Sequence, residues 1–153
     1  MTFDSTQSPV GFWEGFWEQE KLGSGRVNPW LAAHATDLTP GAALDLGCGE
    51  GMDALWLTGR GWQVTVVDIS ATVLDRAVAR AAEAGLRLVA QRHDLATSFP
   101  AGTFDLVSAQ FLQSPVDFPR EEVLHRAAQA VAVGGKLLVV AHAAAPPHGG
   151  AVV

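Results

Sequence analysis

The chain has 153 residues, of which 48% are hydrophobic, and its net charge is −6 because 16 acids outnumber 10 bases. This length and hydrophobic content predict one globular domain with a sizeable core. The acidic balance argues against a nucleic-acid-binding surface, which needs a basic patch. No uncharged apolar run reaches the roughly 18 residues that span a membrane, so a membrane partner is not expected either.

The cysteine content and the N-terminal sequence indicate in which cellular compartment the protein is expected. A lone cysteine, Cys48, cannot form an internal disulfide and is typical of a reducing compartment. Residues 1–10 lack the charged and apolar regions of a secretory leader. The predicted location is therefore the cytoplasm. The five histidines do not pair at the spacing of a zinc site, so no metal is expected.

Residues 1–40 predict a helical cap. Residues 1–10 are polar and are expected to be mobile. Aromatic residues recur at helical spacing between Phe12 and Trp17, which predicts a short helix. A Gly-Ser-Gly segment breaks this helix. An Asn-Pro pair then favours the start of a second helix, predicted over residues 30–38.

Strands and helices alternate from residue 41 onward. Short apolar strands separated by helices favour a parallel sheet with helices on both faces. The predicted strands are 43–46, 63–67, 86–91, 103–109 and 136–141, and the predicted helices are 52–58, 71–84 and 121–133. Gly134 and Gly135 are expected to end the last helix. No repeat or linker divides the chain, so residues 1–153 are expected to form one domain, with a core over 41–142 and a flexible tail over 143–153.

Three glycines at alternate positions, Gly47, Gly49 and Gly51, follow the first predicted strand. Glycine has no Cβ and tolerates positive φ, so the chain can turn sharply there and a ligand can approach the backbone closely. An acid, Asp68, ends the next strand about 20 residues later, at the spacing of a nucleoside site that binds ribose hydroxyls. These residues predict an adenosine-containing cofactor.

The glycine spacing separates two classes of cofactor. A dinucleotide fingerprint has a small residue where this chain has Met52, because helix and strand pack closely there. With Asp45 two residues before the first glycine, the motif resembles that of the class I S-adenosylmethionine-dependent methyltransferases. The resemblance covers residues 12–142 and implies a Rossmann-like α/β fold with strand order 3-2-1-4-5. Residues 16–38 and 43–68 resemble the small-molecule methyltransferases related to tellurite-resistance and thiopurine enzymes.

The resemblance implies a set of cofactor-binding residues. Asp68 would accept hydrogen bonds from both ribose hydroxyls, Ile69 would lie against the adenine, and Asp94 would approach the adenine amino group. Arg26 would hold the cofactor carboxylate by paired hydrogen bonds, and its alternative is an exposed arginine in a turn. The full set is Arg26, Asp45, Gly47, Cys48, Gly49, Gly51, Asp68, Ile69, Asp94, Leu95 and Gln110.

Four residues are candidates for contact with the methyl acceptor: Trp13, Trp17, Asn28 and Gln110. In the resembled enzymes an N-terminal helix covers the site, and aromatic rings attract the positive sulfonium. The alternative for the two tryptophans is a place in the core. Gln110 ends the fourth strand, where open α/β sheets bind ligands, and its alternative is an amide that holds the loop. No pair of residues forms an obvious acid–base dyad, so no catalytic residue is predicted.

These features predict an S-adenosylmethionine-dependent methyltransferase with S-adenosylhomocysteine as product. It would act on a small thiol, metalloid or similar nucleophile by proximity and orientation. The alternative is a non-catalytic S-adenosylmethionine-binding domain or a subunit of a larger assembly. The resembled enzymes have a hairpin after the fifth strand, and residues 142–153 are not expected to form it. The fifth strand is therefore expected to be an exposed edge that pairs in a homo-oligomer, unless the chain is shortened or a natural minimal form.

Overall fold

Helices and strands follow one another through the part of the chain that the computed structural model describes, residues 7–20 and 25–141. The predicted tail, residues 143–153, lies outside the described residues. The elements in chain order are α1 Pro9–Gln19, α2 Pro29–Ala35, β1 Ala42–Leu46, α3 Met52–Gly59, β2 Gln63–Asp68, α4 Ala71–Glu83, β3 Val89–Arg92, β4 Phe104–Gln110, α5 Arg120–Gln129 and β5 Val131–Val140. No helix within the described ranges is long and apolar enough to cross a membrane.

The five strands form one parallel sheet in the order β3-β2-β1-β4-β5. This confirms the predicted Rossmann-like α/β fold and its strand order. Leu44 of β1 pairs with Thr65 of β2 on one side and with Val107 of β4 on the other. The strand order therefore reverses between β1 and β4. In open sheets of this kind, ligands bind in the crevice beyond the carboxyl ends of the strands at that point.

Helices cover both faces of the sheet, as predicted. On one face α2, α3 and α4 pack on the strands through a core that includes Leu31, Leu57, Leu74 and Val66. On the other face α5 packs on β1 and β4 through a second core that includes Val123. Burying each such side chain contributes about 1.5–3 kcal/mol, so these two cores hold the carboxyl ends of the strands in place.

The two N-terminal helices begin at prolines and are capped by the side chain just before them. Ser8 Oγ accepts a hydrogen bond from Gly11 N, and Asn28 Oδ1 accepts one from Trp30 N. These bonds satisfy N–H groups that have no partner within a helix. The prediction that residues 1–10 are mobile is wrong for residues 8–10, which form the cap and first turn of α1. Residues 1–6, to which the same prediction applies, lie outside the described residues.

The third strand is shorter than predicted and begins at Val89 rather than at Leu86. Leu86 completes the C-terminal motif of α4, because its N–H donates to Ala81 O while Gly85 N donates to Ala82 O. Gly85 has φ 72°, the left-handed conformation that this motif requires. The prediction that Gly85 ends the helix is thus confirmed, and the residue after it belongs to the helix end.

The boundary between α5 and β5 also differs from the predicted one. α5 ends at Gln129, and residues 131–133, predicted as helix, begin β5. Gly134 and Gly135 lie where the register between β4 and β5 shifts. Gly134 has φ 80°, and a Cβ on Gly135 would lie 2.8 Å from Val131 Cγ1. The glycines therefore allow an irregularity inside the strand, and the prediction that they end a helix is wrong.

Candidate functional site

A cavity of about 260 Å³ lies at the carboxyl ends of β1 to β4, beside the point where the strand order reverses. Segments that follow these four strands form part of its lining, α1 contributes another part, and the loop after β4 contributes the rest. The lining residues are Pro9, Trp13, Trp17, Gly47, Gly49, Asp68, Ile69, His93, Asp94, Leu95, Gln110, Phe111, Leu112, Gln113, Ser114, Asp117 and Phe118. Most of the predicted cofactor and acceptor residues are therefore brought together in one space.

The glycine loop joins β1 to α3 and has positive φ at each of its three glycines. The φ angles are 67° at Gly47, 53° at Gly49 and 84° at Gly51. A Cβ on Gly47 would lie 2.8 Å from Leu112 Cδ1, and one on Gly51 would lie 2.8 Å from Ala77 Cβ. Gly47 and Gly49 line the cavity, whereas Gly51 caps α3 and packs against α4. The third glycine therefore shapes the loop without lining the cavity.

Asp68 ends β2 and links the glycine loop to the start of α4. Its Oδ1 accepts a hydrogen bond from Ser70 N at 3.0 Å, and its Oδ2 accepts one from Gly49 N at 3.1 Å. Burial raises the pKa of Asp68 to about 6, although these hydrogen bonds oppose the rise. Each carboxylate oxygen has about two acceptor sites, so each can accept a further hydrogen bond from a ligand.

Asp45 lies on β1 and is 3% exposed. Its Oδ2 has no hydrogen-bond partner among the described residues. Burial raises the pKa of Asp45 well above its ordinary value, and the nearby charges of Asp53 and Asp68 raise it further. Burying a carboxyl oxygen without a hydrogen-bond partner lowers the free energy of unfolding, and a ligand with a donor group would supply the missing partner.

Cys48 lies inside the glycine loop and packs against the core formed with α2, α3 and α4. Burial raises the pKa of its thiol well above the ordinary value, and the charges of Asp68 and Asp45 add to the effect. Its Sγ donates to Gly49 O at 3.3 Å. The thiolate is the nucleophilic form of cysteine, so a thiol held in its protonated form does not act as a nucleophile.

The segment after β3 contributes Asp94 and the buried Leu95 to the cavity. Asp94 Oδ1 accepts a hydrogen bond at 3.0 Å from the backbone N–H two residues later, which holds its carboxylate in place. His93 lines the cavity too, and its ring nitrogens lie 2.7 Å from Ser98 Oγ and 2.9 Å from Gln91 Oε1. Both ring nitrogens are thus engaged by neighbouring side chains.

Gln110 ends β4 with its side chain 8% exposed. Its Nε2 donates to Ser108 Oγ at 2.9 Å, and its Oε1 is buried without a partner among the described residues. Gln110 also lines the cavity. The amide is therefore held by its own strand and has one unused acceptor, which fits either of the two roles that the sequence leaves open.

The helix α1 contributes Trp13 and Trp17 to the cavity. Trp17 is buried, and its ring lies 3.6 Å from where a Cβ on Gly49 would be. Phe12, Trp13, Phe16 and Trp17 stack edge to face, with successive centroids 5.0–5.4 Å apart. The two tryptophans thus belong both to an aromatic cluster and to the wall of the cavity.

Two contacts between side chains and helix ends fasten α1 to α4. At the start of α4, the Glu14 carboxylate accepts hydrogen bonds from Ala71 N and from Thr72 Oγ1. At the end of α1, the Arg76 guanidinium donates to Glu20 O at 2.7 Å and to Trp17 O. Each charge lies at the helix end whose dipole it complements. We call these two contacts the α1–α4 latch.

Arg26 and Asn28 are not among the residues that line the first cavity. They line a second cavity together with Gly25, Val27, Pro29, Glu50, Met52 and Asp53. Asn28 N donates to Asp53 Oδ1 at 2.7 Å, and burial raises the pKa of Asp53 although this hydrogen bond opposes the rise. The glycine loop contributes to both cavities, with Gly49 in the first and Glu50 in the second.

The loop after β4 holds the lining residues that the sequence did not reveal. Phe111 has φ 52°, which is an outlier for a bulky residue, and its N–H donates to Val140 O at 2.6 Å. Asp117 and Phe118 follow in the same loop and line the cavity. A segment that directly follows the carboxyl end of β4 is expected to line the site, so its first residues could have been predicted. Nothing in the sequence indicated that residues as far as 118 also line the cavity.

A family described as a methyltransferase domain matches residues 43–135, which are more than half of the chain. The chain belongs to this methyltransferase-domain family. The predicted resemblance to the class I S-adenosylmethionine-dependent methyltransferases is thereby confirmed, and S-adenosylmethionine is the cofactor of that class. The match begins in β1 and includes the glycine loop, Asp68 and Gln110.

Individual relatives agree with the family. The ubiquinone biosynthesis O-methyltransferase of Erwinia tasmaniensis is 33% identical over 118 residues, which are 73% of this chain and 48% of that protein. The thiopurine S-methyltransferase of Pseudomonas fluorescens is 44% identical over 64 residues, which are 39% of this chain and 30% of that protein. The crystal structure of TehB from Haemophilus influenzae matches with a TM-score of 0.70 at 20% identity, covers 82% of this chain and 44% of TehB, and shares the fold. The chain spans about half the length of these proteins or less.

Proposed function

We propose that the chain binds S-adenosylmethionine in the cavity at the carboxyl ends of β1 to β4 and transfers its methyl group to a small-molecule acceptor. A thiol, a metalloid or a similar nucleophile is the proposed acceptor. The observation that carries the proposal is that one cavity unites Gly47, Gly49 and Asp68 with Trp13 and Trp17 of α1. In this proposal residues 1–40 cap the site and residues 41–142 form its core.

The adenosine half of the cofactor suits the residues after β2 and β3. The unused acceptor sites on the two oxygens of Asp68 are available to the two ribose hydroxyls. Ile69 and Leu95 offer apolar side chains to the adenine ring, and Asp94 offers a carboxylate to its amino group. These pairings match hydroxyl and amino donors to carboxylate acceptors.

The methionine half suits the groups around the glycine loop. Asp45 Oδ2 is a buried acceptor in need of a partner, and the cofactor's ammonium group is a charged donor. The rings of Trp13 and Trp17 suit a positive sulfonium, because the face of an aromatic ring attracts cations. Gln110 Oε1 supplies a further acceptor if its side chain adjusts to the ligand.

Catalysis in this proposal rests on positioning. The bound cofactor supplies an activated methyl group, and the residues of the chain hold the acceptor in line with it and exclude water. Proximity and orientation of this kind can lower a barrier by about 7–11 kcal/mol. Cys48 is held as a thiol, and His93 has both ring nitrogens hydrogen-bonded. Neither side chain is therefore assigned as a base, and in this proposal the acceptor loses its proton to solvent.

Calorimetric titration with S-adenosylmethionine, S-adenosylhomocysteine and NAD tests the cofactor assignment. We expect the two sulfur compounds to bind and NAD not to bind. Asp68→Asn should weaken their binding by about 10- to 100-fold, because hydrogen bonds to a charged group are worth roughly 1.5–3 kcal/mol. Asp75→Asn removes the same charge from an exposed position of α4 and serves as the matched control. Binding of NAD, or equal affinity in the Asp68 variant, would contradict the assignment.

A transfer assay separates the enzyme from the alternative, a non-catalytic S-adenosylmethionine-binding domain. The protein is incubated with labelled S-adenosylmethionine and a panel of thiols and tellurite, and methylated products are measured by mass spectrometry. Methylation of any acceptor supports the enzyme. Cofactor binding without methylation of any compound in the panel favours the binding domain.

The proposal extends to assembly through the outer edge of β5. Within the described residues β5 pairs with β4 alone, and two of its side chains, Val133 and Val139, are exposed. An unpaired strand edge is a ready partner for another strand. A second copy of the chain is the proposed partner.

A further inference from the structure

The cavity has an aromatic wall that includes two rings without a role in the proposed cofactor site. Phe111 and Phe118, both in the loop after β4, line the same space as Trp13 of α1. Phe111 is 39% exposed, and Trp13 and Phe118 are half-buried, so their rings remain partly accessible. Aromatic rings that are supplied by separate elements and face one cavity suit a flat apolar molecule, and their faces also attract organic cations.

The charged groups that line the cavity are mainly acidic. Asp68 and Asp94 are assigned to the cofactor, whereas Asp117 lines the cavity, is exposed and has no assigned role. Among the described lining residues there is no lysine or arginine. His93 is the one basic type of side chain among them, and both of its ring nitrogens are hydrogen-bonded to neighbours.

The cofactor itself brings one positive sulfonium to this environment. The carboxyl groups of Asp68 and Asp94 line the cavity in its proposed cofactor part and offset that charge, which leaves Asp117 for the acceptor. The whole chain also carries a net charge of −6. A field of this sign raises the local concentration of cations and lowers that of anions.

We propose that the methyl acceptor is a small aromatic molecule that carries a positive amine or onium group. The ring lies among Trp13, Phe111 and Phe118, and the positive group lies beside Asp117. This inference rests on the proposed function, because it concerns the acceptor part of the same cavity. It favours organic cations over anionic acceptors, including metalloid oxyanions.

The transfer step is the same for every acceptor of this kind. The lone pair of the acceptor atom forms a bond to the methyl carbon while the carbon–sulfur bond of the cofactor breaks. The electron pair of that bond stays on the sulfur, and the acceptor releases its proton to water. The positive group near Asp117 takes no part in the bond changes and serves for recognition.

Three thiophenols that differ in the charge of the para substituent test the inference. Thiophenol, 4-(aminomethyl)thiophenol and 4-mercaptobenzoate carry a neutral, a positive and a negative group at that position. Two quantities are measured for each: kcat/KM for methyl transfer, and the affinity for the protein saturated with S-adenosylhomocysteine. We expect both to decrease from the positive to the neutral to the negative compound, by about two- to fivefold at each step. The differences should shrink in high salt.

Variants of Asp117 test whether this residue causes the preference for the positively charged thiophenol. Asp117→Asn should reduce the ratio between the positive and the negative compound by about two- to fivefold, and Asp117→Lys should reverse the order. Asp75→Asn, with the same loss of charge on an exposed face of α4, should keep the wild-type ratio. The affinity of each variant for S-adenosylhomocysteine reports whether it is folded.

The two readouts separate failure of the inference from failure of the proposed function. Equal or reversed order among the three compounds, or a ratio that Asp117→Asn leaves unchanged, would overturn the inference. Binding in the expected order without any methyl transfer would support the acceptor class and count against catalysis. If none of the three compounds binds the saturated protein, the aromatic acceptor site does not exist.

Discussion

Asp45 is a buried acid on the central strand, and its Oδ2 has no hydrogen-bond partner among the described residues. This burial lowers the stability of the fold, and the same unpaired oxygen is the one proposed to bind the cofactor. Burial raises its pKa well above the ordinary value, and Asp53 and Asp68 add to this effect. The folded chain therefore holds this proton at pH values where the unfolded chain, with a pKa of about 3.9, has lost it. As pH rises above about 4, the unfolded state ionises first, so the free energy of unfolding falls and stays lower at higher pH.

Asp45→Asn should stabilise the empty protein and weaken cofactor binding. Asparagine does not titrate, so the pH-dependent loss of stability disappears. If the relief is about 1 kcal/mol, the melting temperature at pH 8 should rise by about 2–4 °C, and the gain should shrink towards pH 4. Calorimetric affinity for S-adenosylmethionine should fall by at least about tenfold, because a bound ammonium favours the ionised form of Asp45 and asparagine cannot supply that charge. A variant that is less stable than the wild type at pH 8, or that binds the cofactor equally well, would be at odds with this account.

Single residues show what the sequence could and could not predict about the site. Gly47, Gly49 and Asp68 were predictable because a turn with positive φ and an acid at a strand end leave a visible pattern. Phe111 was not, because its φ of 52° contradicts what its residue type favours. Such a conformation costs about 1–3 kcal/mol and persists only where surrounding contacts support it. One such contact is the bond from Phe111 N to Val140 O, which is distant in sequence.

The helix α1 forms part of the cavity wall, and the α1–α4 latch attaches this helix to α4. Burial raises the pKa of Glu14, but hydrogen bonds from Thr72 and Ala71 outweigh this and lower the pKa overall. Glu14 is therefore charged at neutral pH and complements the N-terminus of α4. Because Trp13 and Trp17 lie on α1, loss of the latch would move part of the cavity wall.

Glu14→Ala should loosen α1 without unfolding the core. We expect S-adenosylhomocysteine to dissociate about tenfold faster, which corresponds to the loss of about 1.4 kcal/mol. Stopped-flow tryptophan fluorescence measures this rate. Glu18→Ala, at an exposed position of the same helix, is the matched control and should leave the rate unchanged. Equal rates in the wild type and Glu14→Ala would mean that α1 does not restrain the ligand.

At the level of elements, the sequence predicted the alternation and the sheet order better than the element boundaries. The segment 130–135 reads Ala-Val-Ala-Val-Gly-Gly, which continues a helical pattern and also fits a strand. β-Branched valines pack well in a sheet, and the free edge beside β4 is available, so tertiary pairing decides for the strand. Such pairing depends on residues distant in sequence, which is why the local pattern could not determine it.

At the scale of the whole molecule, β5 is the edge of the sheet within the described residues. It is ten residues long, Val133 on it is fully exposed, and Val139 is 39% exposed. Natural edges are usually shielded by short strands, charges or covering segments, whereas this one is long and has Lys136 as its one charged residue. The proposed second copy would cover this edge at the cost of bringing two chains of net charge −6 together. Added salt should therefore favour the dimer.

Val139→Lys should separate the two chains. A lysine on an edge strand opposes pairing, because its charge would have to be buried beside the neighbouring strand. Sedimentation velocity should show a dimer of the 16.1 kDa chain for the wild type and a monomer, at the same concentration, for the variant. Val78→Lys is the control, because Val78 on α4 is also 39% exposed but lies away from the sheet edge, and this variant should remain a dimer. A wild type that is monomeric at every concentration, in low and high salt, would show that the edge of β5 does not pair with a second copy.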